Sequence, residues 1–170
     1  MIILLKKISE EEILLNELNN KNNWNDLSEN YELSEKMIEE FQNKVNWNFI
    51  SMSQNLSEEF IEKYKDKINW ELISTYQILS EPFIEKFANK LNWNRISGYQ
   101  KLSEYSIDKF ANKLNWNIIS QFQELTEFII EKYKDKINWD KVACNRNLPK
   151  KLKEKYSFAI SGNNFETNFR

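Results

Sequence analysis

Every tryptophan in the chain stands 23 residues from the next: Trp24, Trp47, Trp70, Trp93, Trp116 and Trp139. Each directly follows an asparagine, at Asn23, Asn46, Asn69, Asn92, Asn115 and Asn138. A fixed period in the range of roughly 20–50 residues marks an array of small supersecondary units, none of which can bury its apolar face alone. The fold must therefore be a stack in which each unit is completed by its neighbours.

Cutting before a recurring leucine aligns the units. They are LSEKMIEEFQNKVNWNFISMSQN from Leu33, LSEEFIEKYKDKINWELISTYQI from Leu56 and LSEPFIEKFANKLNWNRISGYQK from Leu79, followed by LSEYSIDKFANKLNWNIISQFQE from Leu102 and LTEFIIEKYKDKINWDKVACNRN from Leu125. Five full repeats thus occupy 33–147. Residues 1–32 read as a degenerate N-terminal repeat or cap that keeps Asn23-Trp24, Leu27 and Ser28 in phase. Residues 148–170 read as a partial repeat and C-terminal cap, with Pro149 in the serine position and Ser161-Gly162 in place of Asn-Trp. At 170 residues the whole is expected to be one continuous domain.

Each unit reads as two short helices. Ser34, Ser57, Ser80, Ser103 and Thr126 are helix N-caps, each followed by a glutamate whose charge suits the helix start. Phe60, Ile61, Tyr64 and Ile68 keep the 3–4 spacing of one helical face, and Lys67 is expected at the C-terminal end, where the dipole favours a cation. Asn69 then caps a second helix that opens on Trp70 and runs through Ile73. Period-2 alternation is missing, so strands are disfavoured. The expectation is an all-α fold, an α-solenoid of 23-residue two-helix repeats, with helices of about 11 and about 7 residues.

A tryptophan that leaves water removes roughly 150–250 Å² of surface, about 4–6 kcal/mol of gross burial at ~25 cal/mol/Å². Six in register suffice to order the array, so the indoles are expected between repeats. A ladder of exposed rings for stacking bases is the alternative, but it calls for interleaved cations, whereas Asn25, Asn48, Glu71, Asn94, Asn117 and Asp140 follow the rings. Ser51, Ser74, Ser97 and Ser120 recur where a small side chain permits close helix approach. Gln54, Gln77, Gln100 and Gln123 are expected to satisfy turn backbone groups or an indole N–H.

Composition narrows the chemistry. There is no histidine, one cysteine and two glycines. An imidazole base, a His-containing zinc site, a Ser-His triad and a glycine-rich phosphate loop are all excluded. Cys144 has no partner for a disulfide and is expected to be a small buried side chain in the register of Thr75 and Gly98. Recurrent acids such as Glu62, Glu85 and Asp108 read as a solvated helix face. The expectation is therefore no catalytic residues, no metal site, no cofactor, no small-molecule substrate and no enzyme. The apolar start Met1–Leu5 is too short for a signal sequence, no run approaches the ~18 apolar residues of a membrane span, and a cytoplasmic location is expected.

In a repeat array, positions that vary between units carry recognition. On the second helices these are Phe49, Leu72, Arg95, Ile118 and Lys141; four residues later come Ser53, Tyr76, Tyr99, Phe122 and Asn145. Residues at i and i+4 are neighbours on a helix, so Phe49, Leu72, Tyr76, Arg95, Tyr99, Ile118, Phe122 and Lys141 form the candidate partner-binding stripe. Packing of Tyr76, Tyr99 and Phe122 against the following repeat is the alternative. Overall charge is nearly balanced, 24 Lys plus Arg against 26 Asp plus Glu, which disfavours a general nucleic-acid binder. The ends differ, however: residues 1–32 hold 3 Lys against 7 acids, and 141–170 hold 7 Lys or Arg against 2 acids. The basic run Arg146, Lys150, Lys151, Lys153 and Lys155 could meet an acidic partner or RNA.

The unit LSEEFIEKYKDKINWELIS resembles a short Leu-Ser-Glu…Asn-Trp…Ile-Ser repeat of uncharacterised proteins from giant DNA viruses, AT-rich bacteria and their phages, over residues 33–147. The resemblance implies a helical repeat framework and carries no functional residue with it. The expected function is a non-catalytic module that binds another protein or protein complex. A viral or phage origin would imply an inhibitor of a host defence complex, acting in the host cytoplasm. A nucleic-acid-binding solenoid and a self-assembling structural repeat are the alternatives.

Overall fold

The computed structural model describes residues 6–7, 9, 12–13, 16 and 23–161. The expected N-terminal cap therefore lies largely outside the described residues, as does the C-terminal cap beyond Ser161. The chain divides into two compact units, Met1–Leu91 and Asn92–Arg170. The division falls inside the third repeat, immediately before a capping asparagine.

In the first unit, helices α1 (Trp24–Asn30), α3 (Trp47–Ser53) and α5 (Trp70–Tyr76) alternate with α2 (Glu35–Glu40), α4 (Glu58–Lys63) and α6 (Glu81–Lys86). A two-residue parallel pairing of β1 (Lys6–Lys7) with β2 (Tyr31–Glu32) precedes α2. In the second unit, α7 (Trp93–Tyr99), α9 (Trp116–Phe122) and α11 (Trp139–Ala143) alternate with α8 (Glu104–Lys109), α10 (Glu127–Lys132) and α12 (Lys150–Lys155). The short α13 (Ser157–Ile160) follows α12. Within each unit the tryptophan-led helices stack directly on one another. This is the all-α stack of 23-residue two-helix repeats expected from the period. Among the described residues no helix is long and apolar enough to cross a membrane.

The caps form as the sequence predicts. Ser57 Oγ accepts the Phe60 N–H, and Asn69 Oδ1 accepts the N–H groups of Glu71 and Leu72. Pro149, which has no such oxygen, opens α12 without a side-chain cap. The first helix is shorter than expected, six residues instead of about 11. It ends at Tyr64 (φ −106°, ψ 24°), whose carbonyl then accepts both Lys67 and Ile68 N–H in one further loose turn. Phe60, Ile61, Tyr64 and Ile68 are all buried across that break. Apolar spacing is the same for a continuous helix and for a helix plus a turn, so periodicity could not place the end. The last-turn cation is accordingly Lys63, not Lys67.

The core is aliphatic. Ile38, Ile50, Ile61, Ile73 and Ile84 have no accessible surface in the first unit, nor have Ile96, Ile107, Ile119 and Val142 in the second. The tryptophans are only partly buried, which lowers their contribution below the full-burial figure. Each indole leans on the aromatic that closes the next first helix. Trp47 meets Tyr64 at 5.0 Å and Trp116 meets Tyr133 at 4.8 Å between ring centroids. A lysine lies over the outer side, Lys67 at 5.5 Å from Trp47 and Lys136 at 5.9 Å from Trp116. The rings do lie between repeats, as a sandwich at the margin and not as the centre. The indole N–H groups of Trp47, Trp70 and Trp116 donate to the backbone carbonyls of Gln42, Lys65 and Ala111, not to the recurring glutamine side chains.

Candidate functional site

The place where a partner could bind is defined by what the repeats consume internally. At the end of each second helix the backbone turns extended, at Gln54 (φ −84°, ψ 149°) and Gln77 (φ −88°, ψ 148°). The side chain of each glutamine is buried. Gln77 Oε1 accepts the Leu56 N–H at 3.1 Å, while its Nε2 donates to the Ser51 and Gln54 carbonyls. Gln123 repeats this with Leu102 N–H, Ser97 O and Gln100 O. Both N–H donors of the carboxamide are thus used, and its oxygen accepts one backbone N–H.

The recurring serines act similarly. Ser51 Oγ donates to the Trp47 carbonyl and accepts Asn69 N–H at 2.9 Å; Ser120 Oγ accepts Asn138 N–H at 3.0 Å. The capping asparagines are also linked, Asn69 Nδ2 to Asn48 Oδ1 and Asn138 Nδ2 to Asn117 Oδ1. These recurring glutamines, serines and asparagines are therefore internal fastenings.

The candidate stripe separates into two tiers. Phe49 and Leu72 are partly buried in the first unit, and Arg95 and Ile118 in the second; Lys141 is exposed. Of the companions four residues on, three are open to solvent: Tyr76 at 40%, Tyr99 at 61% and Phe122 at 51% exposure. Each of these three rings thus keeps a large share of its surface in solvent. A groove of about 530 Å³ in the second unit brings Tyr99 and Phe122 together with Gly98, Lys101, Glu124 and Asn147. A smaller one of about 180 Å³ in the first unit runs past Met52, Ser53, Tyr76 and Ile78. Phe49, Leu72, Arg95, Ile118 and Lys141 line neither groove.

Asn145, in the register of the exposed rings, departs from them. Helix α11 stops early at Ala143, and Asn145, fully buried, donates to the Ser120 and Gln123 carbonyls in the manner of the glutamines. The same early stop leaves Cys144 exposed, against the expectation of a buried side chain.

The first-helix face is charged and already paired. Lys63 reaches Glu39 and Lys86 reaches Glu62 in the first unit; Lys132 reaches Asp108 in the second, all within 2.7 Å. Hydrogen bonds from Lys132 and Tyr133 hold the Asp108 carboxyl below its usual range, and the Tyr156 hydroxyl does the same for Glu131. Lys155 is raised by its contact with Glu127. Lys155, itself exposed, contacts both Glu127 and Glu131; Arg146, Lys150 and Lys151 are exposed as well, Lys150 lying 3.7 Å from Glu154.

Sequence reasoning missed Ile78, 96% exposed, and the first-helix rings Tyr105 and Phe128, exposed at 62% and 48%. The signal was available: Tyr105 and Phe128 share a register with Lys36, Glu59, Pro82 and Lys151, and Ile78 with Asn55, Lys101, Glu124 and Asn147. Among the described residues no cluster of three acidic or cysteine side chains is disposed to hold a metal ion. Comparison with protein-family models, with curated proteins and with solved structures finds no match.

Proposed function

We propose that this chain is a non-catalytic repeat module that binds another protein through the exposed ends of its second helices. The observation that carries the reading is the contrast at each helix end. The side chain that recurs, glutamine, is buried and bonded through both its oxygen and its nitrogen; the one before it changes from repeat to repeat and is an exposed ring in three of them. Exposed tyrosine and phenylalanine beside a groove are side chains that interfaces favour.

The resemblance to repeats of giant viruses, phages and AT-rich bacteria adds a finer proposal. The chain would act as an inhibitor of a host defence complex, in the host cytoplasm. Nucleic-acid binding has less support, because 24 Lys plus Arg are balanced by 26 Asp plus Glu and Lys155 of the basic run faces Glu127 and Glu131.

The test is affinity capture from the native host with the wild-type chain and with Tyr99→Ala/Phe122→Ala. A retained protein that the double variant loses, with melting within about 0.5 kcal/mol of wild type, is expected. Equal retention by both would remove this surface from the reading.

A further inference from the structure

The groove of the second unit carries more information than its rings alone. It is lined by Gly98, Tyr99, Lys101, Phe122, Glu124 and Asn147, among others. Lys101 and Glu124 occupy the same register of consecutive repeats, 23 residues apart, and both are exposed. Tyr99 and Phe122 share a register in the same way. Tyr99 and Phe122 close α7 and α9, which are in direct contact, and Lys101 and Glu124 follow in the adjoining segments that Gln123 ties together through Leu102 N–H and the Gln100 carbonyl, so equivalent positions recur at about the 8–10 Å of packed helices. A polyproline II chain rises ~3.1 Å per residue and returns to the same side every third residue, at about 9.3 Å. An extended strand, with side chains on one side every ~6.6–6.8 Å, and a helix, with ~5.4 Å per turn, do not share that interval.

We infer that this groove binds a proline-rich, extended segment of a partner protein that carries an acidic and a basic residue three positions apart. Lys101 receives the acid, Glu124 receives the base, and Tyr99 and Phe122 pack against the intervening prolines. Aromatic-lined grooves suit such ligands because the chain is already ordered before it binds. The opposite charges at the rim select against a polyanion, which Glu124 would repel. The inference rests on the partner-binding reading above and specifies the ligand of that surface.

Fluorescence anisotropy with the full chain tests it. The probes are labelled proline-rich peptides bearing Asp-Pro-Pro-Arg, Asp-Pro-Arg, Asp-Pro-Pro-Asp or Arg-Pro-Pro-Arg at the centre, an amphipathic helical peptide and an oligothymidylate. Wild-type protein is expected to prefer Asp-Pro-Pro-Arg by about tenfold over the others, two exposed charge pairs being worth that much at low salt. Lys101→Glu should transfer the preference to Arg-Pro-Pro-Arg, and Glu124→Lys to Asp-Pro-Pro-Asp. Both positions are exposed, so neither substitution threatens folding.

Binding that ignores these substitutions, or no binding of any proline-rich peptide, overturns the inference. If the helical peptide binds and Tyr99→Ala/Phe122→Ala abolishes it, the ligand class is wrong while the partner-binding surface stands. If only the oligothymidylate binds, both fall.

Discussion

Gln77 and Tyr76 are consecutive residues at one helix end, yet the first is buried in a line of backbone contacts and the second stands in solvent. The same division separates Gln123 from Phe122. Extended backbone at the glutamine sends adjacent side chains to opposite sides, so one becomes a fastening and the other is released from structural duty. Under the proposed partner-binding reading, recurrence and function part company within a single dipeptide. What the stack needs must repeat in every unit; what a partner needs is free to differ.

The sharpest way to break this comparison is Gln77→Ala set beside Tyr76→Ala. Removing the carboxamide strands the Leu56 N–H and two carbonyls in a buried setting. With about 1–3 kcal/mol for each buried orphan, partly relieved by relaxation, we expect a loss of roughly 3 kcal/mol or more. Tyr76→Ala should change stability by no more than about 0.5 kcal/mol. Denaturant unfolding of the two variants checks both; comparable losses would end the distinction.

A second pair lies two residues apart on α3. Ser51 Oγ serves the Trp47 carbonyl and the Asn69 N–H. Ser53 Oγ is buried without a hydrogen-bond partner. Ser51→Ala should cost about 2 kcal/mol, because Asn69 N–H loses its acceptor. Ser53→Ala should be neutral or stabilising by up to about 1 kcal/mol, since it removes a polar atom that gains nothing from burial. The sign of the Ser53→Ala change, read from the same unfolding curves, sharpens the contrast between recurring and non-recurring positions.

How much of this was legible beforehand follows from the same logic. The asparagine-tryptophan phase carried the repeat length, the helical character and the caps, because each rests on local chemistry that a 23-residue period displays six times over. The end of the first helix was not legible, since the buried set Phe60, Ile61, Tyr64 and Ile68 is indifferent to the turn at Tyr64. The tryptophans lie between repeats as expected but only partly buried, because the isoleucines fill the centre and the indoles close the margin. Variation between repeats placed the exposed Tyr76, Tyr99 and Phe122 in one candidate stripe with the partly buried Phe49, Leu72, Arg95 and Ile118 and could not tell the two tiers apart. A helix of seven residues turns too little for i and i+4 to reveal which of them clears its neighbours. Asn145 escaped because an early helix end shifts it into the glutamine's role, a change of backbone that no side-chain alignment contains.

The paired face of the first helices makes a smaller prediction. Asp108 and Glu131 are held below their ordinary carboxylate range in the folded chain, by Lys132 with Tyr133 and by Tyr156 respectively. Their contribution is complete above the unfolded values near ~4 and is lost as pH falls through the lower folded values. Melting measured from pH 7 down to about pH 3 should therefore decline below roughly pH 4. Asp108→Asn/Glu131→Gln should flatten that decline while leaving the groove's ligand preference unchanged. An unchanged acid limb would mean that these exposed contacts contribute nothing measurable.

The smallest effect is expected at Gly98, where the groove and the stack meet. A β-carbon there would lie 3.1 Å from Ile118 Cγ2, a few tenths of an ångström too close. Ile118 is partly exposed and able to yield. Against that strain, alanine gains about 0.8–1 kcal/mol over glycine inside a helix. The balance favours Gly98→Ala by roughly 0.5 kcal/mol, a rise of about 1–2 °C in melting temperature. Thr75 and Gln121 fill the same register elsewhere, so the framework tolerates a side chain there. A loss of more than about 1 kcal/mol would instead show that α7 and α9 require the close approach, placing Gly98 with the recurring fastenings. A gain in stability together with weaker peptide binding would place it with the groove.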